Sequence, residues 1–324
     1  MSGTGYDKSI EYYSRVEPKE VNWLWYPYIP YGKLTLIQGD PGEGKSTFVI
    51  QLISLLTNGA AFPDGSNAGE PVNVIYQCAE DGIDDTVRPR LNQAGADCNR
   101  VAFIPETDVP LTLDDERIEQ AIADSNAKLL VLDPIQAFIS QDADMQSAVK
   151  MRGVLRKLAD TAQKYQCAII LVGHMNKASG GKKLYRGLGS IDIAAIVRSI
   201  LMISRDPEVS EIRYMIPIKS SLSPEGCAIE FRMDQEQGFQ WIGKSSFSAA
   251  MLSDDMSVET KKDRAMELLQ DMLVDGDMLS TDIMNSMKQQ GISDKTVRFA
   301  QKELGIIAYR SKNAWYWHLD VEVR

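Results

Sequence analysis

Two hydrophobic periods alternate along the first 200 residues. Leu34–Gln38 (LTLIQ) is a short apolar run that stops at Gly39, and it reads as a strand. Ser46–Thr57 then carries Val49, Leu52, Ile53 and Leu56 at helical spacing. Asn73–Gln77 and Val101–Ile104 predict further strands. Leu129–Leu132 (LLVL) and Ala168–Val172 (AIILV) contain no polar position, the texture of strands covered on both faces of a parallel sheet. Between them, Ser147–Tyr165 gathers Val154, Leu155, Leu158, Ala162 and Tyr165 on one helical face. This alternation predicts an α/β fold with a mostly parallel, helix-covered sheet.

After Ser199 the pattern shifts. Ile200–Ser204, Arg213–Lys219, Ala228–Met233 and Phe239–Ile242 read as strands joined by tight turns, an antiparallel extension. The Ser-rich stretch at 245–257 reads as a linker. A second pattern follows, with helices at Lys262–Leu273, Thr281–Gln290 and Asp294–Leu304. Ser280 is in position to cap the second helix, and Ile306–Leu319 predicts two strands around a basic turn. That order reads as a small α+β winged helix. The expected organisation is an arm at 1–20, a core at 21–244, the linker, and a winged-helix-like unit at 258–324.

Composition narrows the function classes. With 324 residues, 44% hydrophobic and 25% charged, the chain has the balance of a globular protein. No apolar run approaches the ~20 residues that span a bilayer, and residues 1–15 lack a signal-like apolar segment. A cytoplasmic protein with no membrane partner is expected. Cys78, Cys98, Cys167 and Cys227 have no CxxC spacing and both histidines are distant from them, which argues against a zinc site or disulfide framework. A net charge of -10 excludes a uniformly basic nucleic-acid-binding surface but leaves room for a local basic patch.

The chemistry starts at Gly39-Asp40-Pro41-Gly42-Glu43-Gly44-Lys45-Ser46-Thr47, which matches GxxxxGK[ST] between a strand and a helix. Glycines let the backbone curl so that its N–H groups face phosphate oxygens. The helix N-terminus adds a favourable dipole. Lys45 is expected to reach the β- and γ-phosphates of ATP, and the Ser46 hydroxyl to ligate Mg2+. Asp133 stands at the tip of the LLVL strand, where α/β sheets hold ligands, and is the second expected metal residue.

The motifs at 23–47, QCAEDG (77–82), LLVLDP (129–134), LVGHMNK (171–177) and YRGLGSIDIAAIVRS (185–199) occur in this order. Together they resemble the RecA-like P-loop ATPases of the RepA-type hexameric replicative helicases, over residues 21–244. The resemblance implies a RecA-like core and a homo-hexamer with ATP at subunit interfaces. Glu80 would activate the attacking water, with Asp81 ranked behind it; the residue after Asp133 is Pro134, which cannot act as a base. His174 would sense the γ-phosphate. A trans-acting cation remains open between Arg198, Arg186 and Lys219, because the Lys-x-Arg pair of related DnaB-type motors here reads Lys219-Ser220-Ser221.

A basic, glycine-rich loop carrying Lys177, Lys182 and Lys183 would face single-stranded DNA. In the C-terminal unit Lys295, Arg298, Lys302, Arg310 and Lys312 would meet phosphates, unless that unit docks protein instead. The expected function is an ATP-dependent motor on single-stranded DNA, a ring-forming replicative helicase of a plasmid, phage or mobile element. A primase, initiator or loader protein is a further expected partner. The alternative is an ATP-gated DNA-binding, recombination-accessory or loader protein without unwinding activity.

Overall fold

The computed structural model describes residue 10 and residues 12–105, 108–139, 148–174, 191–206, 208–234, 236–247, 261–273, 276–290, 292–311 and 314–319. The chain divides into two compact units, Met1–Leu252 and Ser253–Arg324. Among the described residues, no helix is long and apolar enough to cross a membrane.

The first unit opens with a two-stranded hairpin, β1 (Trp23–Trp25) and β2 (Ile29–Pro30). Strand and helix then alternate: β3 (Leu34–Gly39), α1 (Lys45–Asn58), β4 (Val74–Cys78), α2 (Arg88–Gln93), β5 (Val101–Ala102), α3 (Glu116–Ser125), β6 (Leu129–Asp133), α4 (Ala148–Tyr165) and β7 (Ala168–His174). After α5 (Ile191–Ile196) come β8 (Ser199–Arg205), β9 (Ile212–Ser220), β10 (Ala228–Asp234) and β11 (Gly238–Ser245). They form one sheet of order β11-β10-β9-β8-β3-β7-β6-β4-β5. The β8-to-β5 half is parallel, and β8 through β11 pair antiparallel.

Side-chain alternation explains why both faces are covered. Along β6, Leu129 and Val131 enter one core while Leu130 and Leu132 enter the other. In β7, Ala168, Ile170 and Val172 join the first core, Ile169 and Leu171 the second. The first core is closed by α1 through Phe48 and Leu52, by α2 through Leu91, and by Val87 just before α2. The second is closed by α3, α4 and α5 through Ile118, Ile122, Leu155, Leu158 and Ile193. Fully burying a side chain of this size contributes about 1.5–3 kcal/mol.

Three local expectations change. The strand expected over Val101–Ile104 stops at Ala102. Ile104 instead exchanges hydrogen bonds with the Gln77 side chain: its N–H donates to Oε1 (2.8 Å) and its carbonyl accepts from Nε2 (3.2 Å). The short helix α2 and the polar helix α3 appear where no strong apolar stripe announced them. Ser280 is the first helical residue rather than a side-chain cap; Leu279 takes the N-cap position because it belongs to a strand.

The second unit runs α6 (Lys261–Leu273), β12 (Met278–Leu279), α7 (Ser280–Gln289), α8 (Asp294–Glu303), β13 (Ile307–Ser311) and β14 (Ala314–His318). Its strands form an antiparallel sheet of order β12-β14-β13. Leu269, Leu273, Ile283, Met287, Val297, Ala300 and Trp317 make its core. The Ser293 side chain accepts from the Thr296 N–H and caps α8.

Candidate functional site

The site is built at the C-terminal edge of the parallel strands, where β3 passes into a glycine loop and α1. Two glycines are demanded by their surroundings. A Cβ on Gly39 would press into the carbonyl oxygen of Ile203 on the adjacent β8. Gly44 has φ +89°, a left-handed conformation, and a Cβ there would strike the Met233 sulfur. Lys45 opens α1 and is buried. Its Nζ donates to the carbonyls of Gly39 and Asp40, each at 2.9 Å. Burial lowers its pKa, opposed by the carboxylates of Asp133, Asp40, Glu43 and Glu80. The lysine is therefore folded back along the loop, held close to its ring of acids.

Asp133, at the tip of β6, is 4% exposed. Its carboxylate accepts through Oδ2 from the Tyr76 hydroxyl at 3.0 Å, and the Ser46 hydroxyl is near enough to favour its charged form. Burial raises its pKa above the usual carboxylate range; the two hydroxyls and Lys45 pull it down, while Glu80 pushes it up. Tyr76, in β4, is itself pushed well above the ordinary phenol range by burial and by Asp133. A serine hydroxyl and a carboxylate near a helix N-terminus supply hard oxygen donors, the chemistry Mg2+ prefers. Among the described residues, no group of three or more His, Cys, Asp or Glu forms a dedicated metal cage. Two protein oxygens with the remaining positions left to phosphate and water is the usual arrangement for Mg2+ at phosphate sites.

Glu80 lies just past β4 and is exposed, and its charge is felt at both Lys45 and Asp133. Asp81 points elsewhere: Arg90 Nη1 of α2 donates to its Oδ2 at 2.5 Å. The two neighbouring carboxylates are thus in different environments. His174 ends β7 with its backbone in register with Gly39, so its position along the sheet is beside the start of the glycine loop.

The candidate trans cations sit elsewhere. Arg198 precedes β8, its N–H donating to the Leu34 carbonyl at 3.0 Å. Leu34 begins β3, at the opposite end of the strand from Gly39. Lys219 pairs with Ile200 near the same edge. Its Nζ donates to the carbonyls of Ala194 (2.7 Å) and Val197 (3.0 Å), finishing α5. Burial and Arg198 lower its pKa. Neither side chain is at its own molecule's glycine loop. Arg186, Lys177, Lys182 and Lys183 lie outside the described residues. In the second unit Arg298, Lys302 and Arg310 are exposed, the first two one turn apart on α8. The Lys295 side chain and Lys312 also lie outside the described residues.

Several residues at the glycine loop gave no motif signal. Arg213 is 6% exposed, its Nη1 donating to the Ser210 carbonyl at 2.5 Å, and its pKa is lowered by burial and by Arg205. Arg205 Nη2 reaches the Gly42 carbonyl at 3.5 Å. Beside Thr47, an open cleft of about 510 Å3 runs between α1, α2 and the β10–β11 turn. Gln51, Arg90, Met233 and Phe239 line it. An aromatic or thioether wall next to amides suits a heterocyclic base.

A family of AAA domains matches residues 9–180. The DNA repair protein RadA of Halalkalibacterium halodurans is 30% identical over 170 residues, 51% of this chain and 33% of that protein. RadA of Chlamydia muridarum is 28% identical over 149 residues, 45% of this chain and 29% of that one. The chain thus spans about a third of the length of these curated relatives. A solved ATPase domain superposes with a TM-score of 0.51 at 13% identity, over 66% of this chain and 85% of that domain. That likeness concerns the fold, a RecA-like core.

Proposed function

This chain belongs to the family of AAA domains, and from that premise we propose that it is an ATPase whose hydrolysis drives movement on single-stranded DNA. The observation that carries the reading is the convergence of Lys45, Ser46, Asp133 and Glu80 on one glycine loop. ATP would lay its phosphates along residues 39–47, with its base in the cleft beside Thr47. Lys45 would exchange the Gly39 and Asp40 carbonyls for phosphate oxygens, Ser46 and Asp133 would hold Mg2+, and Glu80 would orient water toward the γ-phosphate. The bound metal would neutralise phosphate charge. His174 would report the γ-phosphate to the residues that follow β7.

The subunits would assemble as a ring, a hexamer in our reading, with Arg198 completing a neighbour's site in trans. Its place at the far edge of the sheet supports this, because there it does not serve its own nucleotide. The same position leaves Arg198 nearer that role than Lys219, which is spent on the end of α5. Arg198→Ala is expected to bind ATP and lose hydrolysis by about 10³-fold or more. Mixed with Lys45→Ala protein, it should regain activity at hybrid interfaces; a mixture no more active than its parts removes Arg198 from the trans role.

The basic loop spanning Lys177, Lys182 and Lys183 would line the channel, and the second unit, read as a winged helix, would present Arg298, Lys302 and Arg310 to DNA. The motor reading, a cytoplasmic replicative helicase of a plasmid, phage or mobile element working with a primase, initiator or loader, is tested by strand displacement on forked DNA. Unwinding in one polarity is expected; ATP hydrolysis with no unwinding in either polarity removes it. The similarity to proteins named for DNA repair favours a second reading, a recombination-accessory ATPase that binds and remodels DNA without unwinding it.

A further inference from the structure

On the sheet face opposite α1, an open cleft of about 420 Å3 runs between α4, the segment entering β3 and the end of α5. Lys33, Arg152, Arg156 and Arg198 line it, and among the described residues Asp160 is its single carboxylate. Arg156 and Arg198 make no ion pair among the described residues. Arg152 and Arg156 are one helical turn apart on α4, so both present charge to the same opening. Lys219 lies close enough to feel Arg198. In a chain of net charge -10, this concentration of cations marks a surface for an anionic partner.

The molecule carries the complement itself. The segment after β4 reads Glu80-Asp81-Gly82-Ile83-Asp84-Asp85, four carboxylates in six residues. Arg90 occupies Asp81, whereas Glu80, Asp84 and Asp85 are exposed. Val87 and Leu91, which follow directly, pack into the core on the α1 side, and the cleft lies on the α4 side. One molecule therefore cannot bring the two surfaces together. Two copies can, in a head-to-tail contact that repeats from one subunit to the next.

We propose that this cleft docks the acidic 80–85 segment of a second copy of the chain, and so carries Arg198 toward that copy's nucleotide. The inference rests on the reading of the chain as an ATP-binding subunit of an assembly, and adds the surfaces that join it. The contact couples two functions in one place, because the docked segment also holds the neighbour's Glu80. Formation of the interface then positions the water-orienting carboxylate and the trans arginine together.

The test is charge exchange between the two faces in the full-length protein. Arg152→Glu/Arg156→Glu reverses the cleft, and Asp84→Lys/Asp85→Lys reverses the segment. Assembly is followed by mass photometry with a slowly hydrolysed ATP analogue, and nucleotide affinity by a fluorescent ATP analogue. Each double variant alone is expected to need at least about tenfold more protein to assemble than wild type. An equimolar mixture should assemble like wild type, because every cleft then meets a segment of opposite charge. Nucleotide affinity should stay within about threefold, since neither pair contacts the glycine loop. Arg156→Gln, a milder change checked for folding by circular dichroism, should give an intermediate shift. Variants that assemble as wild type does, or a mixture with no recovery, overturn the docking. So does a wild type that stays monomeric with nucleotide. A wild type that binds no ATP analogue overturns the ATPase reading instead. Normal assembly with lost binding of labelled oligo-dT assigns the cleft to nucleic acid and overturns the docking.

Discussion

Lys45→Ala is expected to abolish ATP turnover, by about 10²–10³-fold or more, while the protein stays folded. The Lys45 ammonium sits within the glycine loop. It is 5% exposed, donates to two loop carbonyls at 2.9 Å, and is surrounded by the charges of Asp133, Asp40, Glu43 and Glu80. Burial works against its charge and the four acids work for it. A cation poised this way stabilises a triphosphate that arrives with several negative charges, and stabilises it more as charge moves onto the leaving oxygens. Alanine removes that charge and leaves Asp133 buried beside Glu80 with less compensation. Nucleotide binding weakens as well as turnover. Thermal melting separates this from unfolding. Wild type at 100 times its Kd should gain about 2.7 kcal/mol of stability from an ATP analogue, and the variant much less. Turnover within about tenfold of wild type would falsify the role of Lys45.

How much the amino-acid sequence discloses by itself follows from how local each signal is. Strands β6 and β7 are buried through their apolar runs, so every position in LLVL and AIILV is apolar and the run is unmistakable. The glycine loop is a contiguous chemical demand: φ +82° at Gly42, φ +89° at Gly44, then lysine and hydroxyl on the first turn of α1. Helix α3 is harder to see because only Ile118 and Ile122 are buried in ten residues, and α2 is only six residues long with Pro89 inside it. At the site, the missing pieces are those made by sheet order. Tyr76 meets Asp133 across 57 residues because β4 lies beside β6. Arg213 and Met233 come to Gly44 because β9 and β10 extend the sheet past β8. No spacing in the chain encodes those neighbours. Arg198 is the reverse case. The motif singles it out, but only the register of β8 on β3 reveals that it stands at the edge away from its own nucleotide loop.

Glu80→Gln is expected to bind ATP and Mg2+ at least as well as wild type and to hydrolyse ATP about 10²–10⁴-fold more slowly. The substitution keeps shape and removes one charge. That charge currently raises the pKa of Asp133, so its loss lets Asp133 ionise more readily. An ionised Asp133 is the better metal ligand, which is why binding holds while chemistry fails. The neighbouring carboxylate is the natural control. Asp81 is committed to Arg90 at 2.5 Å in a partly exposed ion pair, an interaction worth about 0–1 kcal/mol. Asp81→Asn should therefore change hydrolysis only a few-fold. Single-turnover hydrolysis beside equilibrium binding of a fluorescent ATP analogue reads both variants. If Asp81→Asn stops hydrolysis and Glu80→Gln does not, the two assignments exchange. If both turn over normally, the water is oriented from outside this segment, and the acidic run at 80–85 keeps only its part in joining one subunit to the next.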